Sequence, residues 1–269
     1  MKLFLMTDLE GVAGVLSGRD WLYPEGRYYE NARRLLTAQA NAAIEGFAAG
    51  GFDQVLVADG HGAGGLDPEL LDPRARLIRG WARPPYPFGL DASFDALGFV
   101  GQHAKAGTPF SHLTHTGWFN VLDQDVNGRS IGEFGESALC AGELGIPVIF
   151  SNGEKALCEE SEALTPWAVT ASVLEGTIGG TGDDLSGEAY EHFHEGAIHL
   201  HPTVACEIIR ERAKRAAARF HEDRDAFKPL ALKPPYRLTR VLRPYRGQPG
   251  QTLVTEHPSS IIALLNSRP

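Results

Sequence analysis

Lys2-Leu3-Phe4-Leu5-Met6-Thr7-Asp8-Leu9-Glu10 runs through four consecutive large apolar side chains and ends on two carboxylates one residue apart. Four apolar residues in a row, Leu3 to Met6, suit a strand buried on both faces and are too few for a helix. Three more runs have the same form: Val55 to Ala58, Leu97 to Val100 and Pro147 to Phe150, each followed by polar or glycine-rich sequence. Between the first two, residues 28–49 place Ala, Leu and Ile at helical spacing and stop at Gly50-Gly51, so strand, helix and strand form a βαβ unit. Glu133 to Leu144 reads as another helix, ended by Gly145 and followed by the fourth strand. The alternation predicts an α/β fold: a mainly parallel sheet flanked by helices, with right-handed crossovers.

Two features interrupt that pattern. Residues 119–133 contain Asn127-Gly128, suited to a type I′ turn because both central positions need positive φ, so a β-hairpin insertion is expected to deliver Glu133 at its far end. Further on, Trp167 to Leu174 is predicted as a strand, and Glu188 to His194 and Thr203 to His221 as helices. From Phe227 onward, Pro229, Pro234, Pro235, Pro244, Pro249 and Pro258 cut the chain into short pieces. The expectation is a metal-binding catalytic α/β domain over 1–222 and a small C-terminal lobe or oligomer-contact region over 223–269.

Composition narrows the function. The chain has 269 residues, 43% of them hydrophobic, enough for a full core. Its 34 acidic and 25 basic residues give a net charge of -9, which argues against a nucleic-acid partner. The basic stretch from Arg210 to Arg219 includes Glu211 and alternates with Ala, as a solvated helix face does. Cys140, Cys158 and Cys206 are odd in number and widely spaced, so neither a disulfide framework nor a thiolate zinc site is expected. The apolar start is too short for a secretory signal and no segment has the length to span a bilayer; no membrane association and a cytoplasmic location are the expectations.

Ligands of open α/β sheets bind beyond the carboxyl ends of the strands. There the sequence places Asp8 and Glu10 after the first strand, Asp59 and His61 after the second, and His103 after the third, with Glu133 able to fold back over the same edge. Imidazoles and carboxylates without thiolate favour zinc, with manganese, cobalt or iron as alternatives. Asp8, Glu10, His61, His103 and Glu133 are more donors than one open catalytic zinc takes, so two zinc ions per subunit are expected, bridged by Asp8 and sharing a hydroxide. A proton shuttle is still needed. His115 is the candidate, with His112 as its rival; spacing does not separate them. His192, His194, His199 and His201 make the densest histidine cluster, but no strand-end carboxylates accompany it, and it reads as surface or subunit contact.

An ordered set of motifs over the first half of the chain resembles the zinc-dependent D-aminopeptidase family first described from a dipeptide-transport locus. The motifs are Asp8-Leu9-Glu10-Gly11-Val12-Ala13-Gly14, Tyr29-Glu30-Asn31-Ala32-Arg33, Asp59-Gly60-His61, Gly101-Gln102-His103-Ala104, His115-Thr116 and Asn127-Gly128-Arg129-Ser130-Ile131-Gly132-Glu133. The resemblance implies a binuclear zinc site bridged by Asp8 and completed by Glu10, His61, His103 and Glu133, with His115 catalytic. It also implies short peptide substrates with an N-terminal D-amino acid such as D-alanine, and a homo-oligomer, a ring-stacked homodecamer. The chain departs from it at Asn152-Gly153-Glu154, where a Gly-Asp pair is expected, and in its short proline-rich tail. Two competing readings stand beside the aminopeptidase: a binuclear-metal phosphoesterase, for which Lys105 and Arg129 are the only basic residues near the metal-ligand motifs, and an inactive or structural metal-binding homologue.

Overall fold

The computed structural model describes residues 1–81 and 83–267. Its elements in chain order begin with β1 (Lys2–Thr7), α1 (Gly18–Trp21), α2 (Tyr29–Ala49), β2 (Gln54–Asp59), β3 (Ala75–Ile78) and β4 (Ala96–Gln102). The hairpin strands β5 (Val121–Val126) and β6 (Arg129–Ser130) follow, then α3 (Glu133–Glu143), β7 (Val148–Glu154), α4 (Lys155–Leu164) and β8 (Val169–Gly176). The remainder is α5 (Gly187–Tyr190), β9 (Ala197–His199), α6 (Pro202–Glu222), β10 (Tyr236–Leu242), β11 (Gln251–His257) and α7 (Ile261–Asn266).

Seven strands form one sheet in the order β3-β2-β1-β4-β7-β8-β9, parallel except for the last pair. The fold is therefore the α/β class expected. The chain adds β2 and β3 on one side of β1 and then returns to place β4 on the other. That reversal opens a crevice between the carboxyl ends of β1 and β4. Period-two alternation divides the core into two layers. Leu3 and Leu5 face α2 and α6, with Phe47, Ile44, Ile209 and Ala213. Phe4 and Met6 face the other way, toward Phe134, Leu139, Leu157 and Leu264 of α3, α4 and α7.

The four apolar runs are β1, β2, β4 and β7, the last running on past Phe150 to Glu154, and of the predicted helices α2, α3 and α6 lie within a residue or two of their expected bounds. The turn Asn127-Gly128 has φ of 55° and 78°, the left-handed pair a two-residue hairpin needs. Other expectations need adjustment. The helix predicted over Glu188 to His194 is a single turn, Gly187–Tyr190, followed by irregular backbone. In the segment after Phe227, β10 pairs antiparallel with β5, giving a second sheet of order β11-β10-β5-β6, and α7 packs on α3.

Candidate metal centre

Each donor owes its position to a strand end. Asp8 directly follows β1, and its backbone N–H still donates to Val100 O at 3.0 Å, so the first carboxylate is held by the sheet itself. Gly101, at φ +74°, bends the end of β4, and a side chain there would collide with the Asp8 carbonyl. The bend turns Gln102 and His103 into the crevice. His61 follows β2 on a loop whose turn is stapled by Gly65 N–H donating to Asp59 Oδ1 at 2.8 Å. Asp59 thus shapes the loop and is not among the grouped donors. Glu133 opens α3, where the hairpin leaves it, and its Oε1 accepts from Gly117 N–H at 2.7 Å.

The five predicted ligands meet. Asp8, Glu10 and His61 offer donor atoms all within 4.8 Å of one another, and Asp8, His103 and Glu133 offer a second such set. Asp8 belongs to both. A third set joins Glu10, His103 and His115. His61 Nε2 is 3.5 Å from Glu10 Oε1, and His103 Nε2 is 3.5 Å from Asp8 Oδ2 and 3.7 Å from Glu133 Oε1.

The histidine tautomers follow from their partners. His61, His103 and His115 each set Nδ1 against a carbonyl: Gly64 O at 3.3 Å, Ala104 O at 2.9 Å and Leu113 O at 2.9 Å. A carbonyl only accepts, so Nδ1 carries the hydrogen and Nε2 presents its lone pair to the carboxylates. Backbone partners that fix a ring this way are typical behind metal-binding imidazoles.

The electrostatics fit a cation. Burial pushes the Asp8 carboxyl well up, and Glu10 and Glu133 push it the same way. Burial works to raise Glu10, but the imidazoles of His61, His103 and His115 together outweigh it and hold Glu10 well below the usual carboxylate range. Burial pulls His61 and His103 down, yet both end above the usual imidazole value, His61 through Glu10 and His103 through Glu133 and Glu10. His115 falls below that value, through burial and through His103. Among the described residues, Glu10 Oε2 and His103 Nε2 are buried without a hydrogen-bond partner. Three carboxylates crowded around unshared imidazole lone pairs are what a divalent cation relieves.

The structure separates the two shuttle candidates. His115 lines the crevice, its Nε2 3.7 Å from Glu133 Oε1. His112 points away, Nε2 against Val15 O at 3.1 Å and ring edge-on to His199, where burial takes it down to about 4. In the histidine cluster the surface expectation fails for His194, which is buried; His199 accepts from Gly14 N–H, and His201 caps α6.

The crevice opens into a cavity of about 590 Å³ whose walls carry Tyr23, Trp81, Phe88 and the half-exposed Trp118. Sequence reading passed over two residues here. Gln102 donates from Nε2 to Asp8 Oδ2 at 2.9 Å; it stands between two residues of a quoted motif, which was the available signal. Arg79 donates to the carbonyls of Asp59, His61 and Gly62 at 2.8, 2.5 and 2.8 Å, bracing the His61 loop. It follows β3, a strand too short and exposed to announce itself.

Residues 1–245 match the M55 peptidase family, described as D-aminopeptidase. The D-aminopeptidase of Bacillus subtilis strain 168 is 36% identical over 178 residues, which is 65% of this chain and 64% of that protein, so the chain spans just under two thirds of that relative's length. Among solved structures, the Zn-dependent D-aminopeptidase DppA from Bacillus subtilis, a self-compartmentalizing protease, superposes with a TM-score of 0.82 at 26% identity, over 99% of this chain and 95% of that one.

Proposed function

The chain belongs to the M55 family of D-aminopeptidases, and from that premise we propose that it is a zinc aminopeptidase that removes N-terminal D-amino acids, of the D-alanine type, from short peptides. The observation that carries the reading is Asp8 standing in two separate groups of three donors, as a carboxylate shared by two metal ions must. Asp8, Glu10 and His61 would hold one zinc ion, and Asp8, His103 and Glu133 the other. Zinc there supplies a Lewis acid for the scissile carbonyl and acidifies water enough for attack at neutral pH.

The rest falls to the protein. His115 has Nδ1 committed to Leu113 O and Nε2 open to the cavity, so it can take a proton and return it to the leaving amine. Gln102 holds Asp8 Oδ2 through its amide, leaving the carboxylate no freedom to rotate away. A cavity of about 590 Å³ suits a di- or tripeptide and excludes a folded chain. Arg79 and Arg83 both lie on its wall; the Arg79 guanidinium is spent on three backbone carbonyls and is not free to bind a phosphoryl group. The structural relative is self-compartmentalizing, and we extend to this chain a homo-oligomer, the homodecamer of the family resemblance. The exposed Leu16, Ile198 and Val204 are apolar surface available for subunit contact.

Release of D-alanine from D-Ala-D-Ala and D-Ala-Gly-Gly tests the reading. Chelation should abolish it and added zinc restore it. A fully metallated protein inert toward both D- and L-aminoacyl amides would overturn it.

A further inference from the structure

Glu154 is the last residue of β7, fully buried, and its side-chain hydrogen bonds all reach into one neighbouring segment. Its Oε1 accepts from Ala104 N–H at 2.7 Å and from the hydroxyl of Ser111; its Oε2 accepts from His112 N–H. Ala104 directly follows the ligand His103, and His112 lies three residues before His115. One carboxylate therefore joins the end of β4 to the base of the loop that carries the shuttle imidazole. Thr114 strengthens the same suture, its hydroxyl reaching Ala104 O at 2.7 Å and Lys105 O at 2.6 Å.

We propose that Glu154 is a positioning residue for His115: it sets the distance between the His103 end of β4 and the 111–115 loop, and so places His115 Nε2 beside Glu133. The inference rests on the aminopeptidase reading for its catalytic meaning, but the positioning itself does not depend on it. The requirement is for a carboxylate rather than a general polar group, because all three partners donate. An amide keeps one accepting oxygen and turns its NH2 toward a backbone N–H, which cannot accept. The Asn152-Gly153-Glu154 departure then keeps the carboxylate function in a longer side chain, long enough to reach both ends of the loop.

The test is Glu154→Gln in the zinc-loaded protein at pH 8, since burial lifts this carboxyl to about 7. Misplacement of an acting group by about 1 Å costs up to 10²-fold, so kcat should fall roughly 10- to 100-fold with KM and bound zinc unchanged. The side-chain 15N and 1H resonances of His115, assigned in histidine-labelled protein by loss of one signal in His115→Gln, should move, while those of His201 stay. Unchanged His115 resonances overturn the proposal, as does a fall in zinc content that matches the fall in kcat. If the parent releases no D-alanine, the aminopeptidase reading has failed, and the resonances still decide the positioning. Should Glu154→Gln not fold, Ser111→Ala removes one donor of the three: a displaced His115 signal in that variant supports the inference, and an undisturbed one overturns it.

Discussion

His103 and His115 stack with ring centroids 4.2 Å apart and planes 18° from parallel, and yet they are anchored to different carbonyls, Ala104 and Leu113. Stacking brings both Nε2 atoms to the same oxygen, Glu133 Oε1, at 3.7 Å each. In the proposed reading His103 would bind metal while His115, sharing its carboxylate neighbour, stays free to carry a proton. His115→Ala should lower kcat/KM for D-Ala-Gly-Gly by about 10² to 10⁴, the usual contribution of a positioned acid-base group, and leave bound zinc at its parental level. Metal analysis alongside kinetics decides it: zinc lost together with His115 would make this residue a ligand instead.

The shared position of Asp8 predicts unequal metal losses. His61→Ala disturbs only the Asp8-Glu10-His61 group, so bound zinc should drop from about two equivalents to about one. Asp8→Ala disturbs both groups and should take zinc close to none. The comparison is made by elemental analysis after dialysis against a fixed free zinc concentration. Equal stoichiometry in the two variants would remove the bridging role.

Why the donors could be read in advance, and other parts could not, follows from where the information lies. Leu3 to Met6 or Leu97 to Val100 must be apolar at every position because both faces of a central parallel strand are buried, and that leaves a local mark. The donors inherit it, since each stands at a strand end or, for Glu133, at a helix start. β3 has two exposed residues among its four, so Arg79 was hidden with it. β10 sets Thr239 beside Arg240 and Val241 beside Leu242, so it lacks strict alternation, and its partner residues in β5 lie 112 to 121 positions earlier; no window of sequence contains that pairing. Glu154 is hidden for a related reason. Its partners are two backbone N–H groups and a serine hydroxyl 42 to 50 residues earlier, and two of the three carry no side-chain signature at all.

Stability should depend most on the layer between α2 and the sheet. Phe47 is fully buried, with ring centroids 5.6 Å from Phe52 and 5.5 Å from Phe150, both edge to face. Phe47→Ala leaves a cavity that the close-packed α2 and α6 backbones cannot collapse to fill. Denaturant unfolding should show a loss of about 3–5 kcal/mol. Val254→Ala on the exposed face of β11 should stay within about 0.5 kcal/mol. Similar costs at the two sites would mean that the core has been misplaced.

Acid sensitivity should have a component that does not come from the metal centre. Burial, with Arg243 nearby, takes His194 from 6.5 down to about 4. Its ring lies edge-on to Tyr190 and Phe193. The folded protein therefore holds this imidazole neutral over a pH range in which the unfolded chain binds a proton. Its folded pKa is depressed, so the linked stability is fully present above about 6.5 and drains away as pH falls toward about 4. His112, also at about 4, adds a second such group. His194→Phe removes one of the two and keeps an aromatic ring in its place. The variant should match the parent near neutral pH and lose less melting temperature between pH 6.5 and pH 4. Melting curves of both proteins at equal free zinc across that range measure the difference, and parallel acid limbs would show that His194 is not held neutral by the fold.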